Sequence, residues 1–230
     1  MRVVISVGGS VLAPTAEDDR VAAYAEAIRQ LIDAGHEVGI VVGGGSIARD
    51  YIDAGRTVGA SEIALDEIGI GVTRLNARLL IAALGDLVPA EPVETYAAAR
   101  SALGAYDGVV MGGTSPGHTT DAVAAALAER LDAELLVLAT SVPGVFDTDP
   151  NTDDTATRYD ELTPAELVTV VGALEMNAGS PAPVDLLAAK LLERARLRAL
   201  VIDGTDPQRV VDAVLDDTFD GTHVLPPGQQ

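Results

Sequence analysis

Fifteen basic residues serve this 230-residue chain, and Lys190 is the one lysine among them. A compact ammonium kept once, where guanidinium is used everywhere else, is a candidate for a site that needs a point charge. A lysine at a helix edge also snorkels into water without any further role. The other candidates are three glycine clusters: GGS at residues 8–10, GGGS at 43–46 and GGTSPGHTTD at 112–121. Each follows a short β-branched run. Beyond the carboxyl ends of parallel strands, glycine lets backbone N–H groups close on phosphate oxygens at the start of the next helix. One such loop is equally a tight turn that needs positive φ. Three at equivalent strand ends predict a polyphosphate ligand or two phosphorylated ligands. Arg49, one turn past GGGS, would bring a guanidinium fork to a phosphate.

Known phosphate fingerprints narrow the class. Residues 112–119 have the shape of a P-loop, but His118 stands where its lysine belongs, and GxGxxG occurs nowhere. The protein-kinase tripeptides HRD and DFG are also missing. The chain therefore reads as neither a Walker NTPase nor a dinucleotide-binding dehydrogenase.

The elements that must position these loops follow from the hydrophobic pattern. Strands are predicted at RVVISV, EVGIVV, DGVVM, ELLVLAT and RALVI, with a last one near Thr222. Helical period runs through residues 17–33, after GGGS, through 61–84, 121–131 and 206–215, and onward from Pro164 and from Val184. An Asp- and Thr-rich stretch at 147–159 breaks the rhythm as a hairpin or excursion. Alternating strands and helices predict an α/β chain with a parallel sheet covered by helices. No linker or repeat divides it, so one domain over residues 1–230 is expected, with two lobes on one sheet.

A hydrophobic share of 48% is enough for a sizeable core. Thirty-five acidic residues give a formal net charge of -20, which disfavours binding to nucleic acid or to an anionic membrane. The apolar start MRVVISVGGSVL is too short and too interrupted by glycine for a signal peptide or a membrane span. The absence of cysteine rules out a thiol nucleophile and Cys-ligated zinc and suits the cytoplasm, and three scattered histidines offer no metal-ligand spacing. This composition resembles that of salt-adapted archaeal proteins, in which molar salt shortens the Debye length to about 3 Å.

Together the strands and loops resemble the amino-acid kinase superfamily, most closely its archaeal uridylate (UMP) kinases. The likeness covers nearly the whole chain: VGGSVL, VVGGGSIARDYI, DEIGIGVTRLN with ARLLIAAL, MGGTSPGHTTDAVAA, ATSVPGVFDTDP, VDLLAAKLL and DGTHVLP. Related kinases for isopentenyl phosphate place a histidine just before their second glycine cluster. Val42 stands there in this chain, which supports a nucleotide acceptor.

The resemblance implies a three-layer αβα sandwich with a mostly parallel central sheet, in which the N-terminal part mainly binds the phosphate acceptor and the C-terminal part mainly ATP. It implies transfer of the γ-phosphoryl group of ATP to UMP, with Mg2+ arriving on the ATP, in pyrimidine nucleotide synthesis. Gly9 and Ser10 would cradle the ATP phosphates, Gly45 would meet ATP and Gly44 UMP, and Arg49 would reach a transferring phosphate. Asp66 would hold the UMP ribose hydroxyls, and the run Thr114, Ser115, Pro116, Gly117, His118, Thr119 and Thr120 would enclose uracil and ribose. Without the resemblance, TSPG reads as an ordinary turn and Thr120 as the N-cap of a helix beginning at Asp121. Thr140, Phe146 and Asp149 would hold adenosine. Pro143 replaces the aspartate of the commoner T-x-V-D-G-V pattern.

Asp121 would organise the cations of the site. Many members carry a lysine in the first strand, where this chain has Ser6. Lys190 would then supply the transition-state cation, unless Arg49 and magnesium suffice. The family also implies a homohexamer built as a trimer of dimers. The alternatives are a fold relative acting on another small phosphate or carboxylate, and a noncatalytic oxyanion-storage protein.

The acidic composition makes structure depend on salt. Far-UV circular dichroism should show loss of structure in dilute buffer and retention in molar KCl. Full stability and activity at low ionic strength would overturn the salt-adapted reading.

Overall fold

The computed structural model describes residues 1–12, 20–175 and 184–228. Strands β1 (Arg2–Val7), β2 (Glu37–Val42), β3 (Gly108–Met111) and β4 (Leu135–Thr140) are buried almost without interruption, as strands covered on both faces must be. With β5 (Glu161–Leu162), β6 (Ala199–Asp203) and β7 (Gly221–Val224) they form one seven-stranded sheet in the order β3-β2-β1-β4-β6-β7-β5. Every pairing is parallel except β6 with β7.

Alternate strand residues feed two separate cores. Val3, Ile5 and Val7 cluster with residues of α1 (Gly9–Leu12), α2 (Arg20–Asp33), α4 (Glu62–Leu84) and α9 (Gln208–Leu215). Val4, Val41 and Leu138 pack under α5 (Tyr96–Ala102), α6 (Thr120–Leu131), α7 (Pro164–Glu175) and α8 (Leu186–Ala195). The result is a three-layer αβα sandwich. Helix α4 is long and apolar enough to cross a bilayer by length and composition. Here it packs against α2, α3 (Gly45–Thr57), β2 and β3, with Arg74 ion-paired to Glu94 and Arg78 to Glu91.

Several boundaries differ from the sequence reading for local reasons. Thr119, and not Thr120, caps α6, because its hydroxyl accepts the Ala122 N–H at 3.1 Å. Helix α8 starts two residues after Val184, capped by Asp185. Helix α9 starts after Asp206, whose carboxylate accepts the Gln208 N–H. Residues 17–19 of the helix expected at 17–33 lie outside the described residues. The stretch 147–159 is an excursion pinned at its base by a bridge between Phe146 and Arg158. The short strand β5 gave no usable pattern in two residues.

The parallel registers set Val7 beside Val42 and Val41 beside Met111. The loops after β1, β2 and β3 therefore leave the sheet at one edge. Two of them touch backbone to backbone: a Cβ added at Gly9 would lie 2.0 Å from Gly45 N and 2.5 Å from Gly44 C. A Cβ at Gly43 would in turn meet Gly9 N at 2.4 Å. Gly9→Ala should thus destabilise by about 1–3 kcal/mol, the usual range for overpacking. Thermal unfolding in molar KCl checks this, with roughly 2–4 °C expected per kcal/mol.

Candidate active site

The order of the sheet reverses between β1 and β4, and a crevice at such a switch point is where open α/β sheets bind ligands. A cleft of about 1020 Å3, counted out to its open mouth, lies there. It is lined by Gly9 and Ser10 after β1, Thr120 and Asp121 at the start of α6, Thr140 at the end of β4, and Phe146 and Asp149 in the excursion. A second cleft of about 960 Å3 adjoins it between α3, α4 and the loop after β3. Gly44, Gly45, Arg49, Asp66, Ser115, Gly117 and His118 line that one. Thr119 and Thr120 line both.

The polar groups of the first cleft are held locally. Thr140 Oγ1 accepts the Val142 N–H at 3.1 Å and donates to the Val142 carbonyl at 2.8 Å. Asp149 is buried, and its Oδ1 accepts from the Asn151 backbone and side chain at 2.9 and 3.0 Å. Pro143 offers no side-chain polar atom, and its carbonyl accepts from Arg158. Asp121 shows only part of its surface to the cleft, and Ser6 Oγ donates to its Oδ1 at 2.7 Å. Burial pushes the Asp121 carboxyl up to about 6, against the lowering effect of the Ser6 hydrogen bond and with a smaller push from the Asp185 charge.

Helix α4 organises the second cleft. Asn76 is buried and donates to the carbonyls of Gly43 and Gly44 at 2.9 and 3.3 Å. Thr73 Oγ1 accepts the Gly113 N–H at 2.7 Å, and Asp66 Oδ2 accepts the Gly117 N–H at 2.8 Å. Three side chains of one helix thus fix two loops. Arg49 is exposed, reaches Ser10 Oγ at 3.4 Å across the boundary, and forms no ion pair among the described residues.

Most of the expected residues come together here, with exceptions. Gly45 was expected beside ATP with Gly9. It lines the second cleft while its backbone abuts Gly9. Thr114 turns toward Tyr96 Oη at 3.4 Å, Pro116 sits on the exposed side of its turn, and neither lines a cleft. Lys190 stands apart. The inward stripe of α8 is Ala188, Ala189 and Leu192, so its edge position turns outward, and Nζ pairs with Glu193 at 3.1 Å with the side chain 54% exposed. The expectation that Lys190 faces the transferring group is not met.

Sequence reasoning missed Thr73, Asn76 and Asp185 and gave Ser6 no role. An asparagine in the apolar helix and a serine in an apolar strand were visible signals, since buried polar groups need partners. Thr73 and Asp185 carried none.

A model of the amino acid kinase family matches residues 1–203. The chain belongs to the amino acid kinase family. Among its relatives, the uridylate kinase of Halorubrum lacusprofundi is 58% identical over 230 residues, spanning all of this chain and 95% of that protein. The uridylate kinase of Haloarcula marismortui is 59% identical over 226 residues, spanning 98% and 99%. The crystal structure of uridylate kinase from Archaeoglobus fulgidus superposes with a TM-score of 0.88 at 42% identity, covering 97% of this chain and 100% of that one. The mostly parallel sheet and its helical layers are those of this family's fold.

Proposed function

We propose that this protein is a uridylate kinase that transfers the γ-phosphoryl group of Mg-ATP to UMP, yielding UDP and ADP for pyrimidine nucleotide synthesis. The observation that carries the reading is the pair of clefts joined at Thr119 and Thr120, with the glycine loops of each in backbone contact. An oxygen of the UMP phosphate attacks the γ-phosphorus, the bond to the β–γ bridging oxygen breaks, and its electrons leave with ADP. A loose transition state of this kind asks the protein mainly for alignment and charge neutralisation.

In this reading ATP occupies the first cleft and UMP the second, so the N-terminal part of the single domain serves mainly the acceptor and the C-terminal part mainly the donor. Gly9 and Ser10 present backbone donors to the ATP phosphates, and Phe146 packs on adenosine with Thr140 and Asp149 beside it. Gly44, Ser115, Gly117 and His118 surround UMP. Asp66 keeps Oδ2 on Gly117 and turns Oδ1 to a ribose hydroxyl. Arg49 spans the two clefts and supplies the side-chain cation to the transferring group, and Asp121 is the carboxylate beside it.

Magnesium enters on ATP. Mg2+ takes most of its ligands from phosphate oxygens and water in such sites, and the described residues contain no group of three His, Cys, Asp or Glu placed to hold a metal alone. Bound there, it neutralises phosphate charge. The same reading places the enzyme in the cytoplasm.

Assembly as a trimer of dimers belongs to this proposal. Tyr51, Ile63, Leu75 and Leu79 on α3 and α4 are each more than half exposed and suit contact with a second copy of this chain. Sedimentation in molar KCl should give the mass of six chains. The mass of one chain would overturn this assembly.

ADP formation from Mg-ATP with UMP, CMP, AMP or no acceptor, in molar KCl, tests the activity. UMP should lead by about 100-fold or more, a margin within reach of a site that hydrogen-bonds its substrate. Lys190→Ala should stay within about twofold of the parent, as for other exposed substitutions. Turnover with none of these acceptors by the folded protein would overturn the kinase reading and favour another acceptor or a binding protein.

A further inference from the structure

Asp121 carries no cation partner among the described residues: Arg49 reaches Ser10, and Lys190 pairs with Glu193. Two other groups face it. From β1 comes Ser6, 1% exposed in the middle of an apolar strand, whose hydroxyl would be costly to bury without its 2.7 Å bond to Asp121 Oδ1. From the start of α8 comes the Asp185 carboxylate, whose negative charge acts on Asp121 through space.

Asp185 also works mechanically. Its Oδ1 caps α8 by accepting the Ala188 N–H at 3.0 Å, and its Oδ2 accepts the Thr119 hydroxyl. Thr119 in turn caps α6 through Ala122. The two helix starts are therefore interlocked at Thr119, one of the two threonines that line both clefts.

We propose that Ser6 and Asp185 are positioning residues for the phosphoryl transfer, Ser6 holding the Asp121 carboxylate from β1 and Asp185 anchoring Thr119 while opposing the Asp121 charge from α8. The proposal rests on the kinase reading above. It makes the two residues act on Asp121 with opposite sign. The Ser6 hydrogen bond favours the charged carboxylate, and a like charge at Asp185 disfavours it.

The sign of the pH dependence follows. Asp121 serves as a carboxylate, so kcat/KM, which reports groups of the free enzyme, is sustained above its pKa and is lost as pH falls through about 6. Ser6→Ala removes the donor, and the acid limb of kcat/KM should move up by about one pH unit. Asp185→Asn keeps a good helix cap, removes the like charge, and should move the limb down. The UMP phosphate titrates in the same range, near pH 6 as phosphate monoesters do, but equally in all three proteins. The difference between limbs therefore belongs to the chain.

The experiment is the pH profile of kcat/KM for the parent, Ser6→Ala and Asp185→Asn in molar KCl, beside a carboxyl-carbon NMR titration of Asp121 without ligands. Opposite shifts in both readouts are expected, and general destabilisation cannot produce them. Parental turnover with limbs that stay fixed, or move the same way, would overturn this proposal and leave the kinase reading standing. Absent turnover with opposite NMR shifts would leave the electrostatic coupling and overturn its tie to phosphoryl transfer together with the kinase reading.

Discussion

The site depends on a contact with no room for a side chain. The backbone of Gly9, just past β1, presses on the backbone of residues 43–45, just past β2. Parallel pairing brings the two strand ends level, and glycine on both sides lets the chains close to a distance any Cβ would prevent. Two clefts that each open at the end of the sheet are thereby made neighbours. Without that approach, a donor and an acceptor phosphate could each bind and still lie too far apart to react.

Around this contact, helices serve as loop holders. Helix α4 uses Asp66, Thr73 and Asn76 to take hydrogen bonds from, or give them to, the backbone of the loops after β2 and β3. Such bonds fix the loop backbones beside the clefts that they line. The linked caps at Asp185 and Thr119 do the same on the opposite face of the sheet. Each cleft is thus formed by irregular backbone whose geometry is dictated by regular elements.

Charge is distributed with similar economy. In a chain of net charge -20, Arg49 is the cation that borders the clefts without a carboxylate partner among the described residues. The acidic surface would repel nucleotides at low salt, so local attraction depends on a few groups and on screening by ions. Asp121 adds a negative charge inside the site, with a serine as its partner where a lysine stands in many family members.

The sequence by itself determined the layers, six of the seven strands, the three glycine loops and the family, because those depend on short-range periodicity and on contiguous motifs. It also pointed to Arg49, Asp66, Asp121 and the loop from Gly112, which lie inside such motifs. Only the tertiary structure decided that Lys190 faces outward, since a residue on the edge of an apolar stripe can turn either way and the packing of α8 chooses. The contact of Gly9 with Gly45, the hold of Asn76 on Gly43, and the meeting of Asp185 with Thr119 join residues 36, 33 and 66 positions apart. No local pattern encodes such pairs, because they exist only once the sheet has set its register and the helices have docked on it.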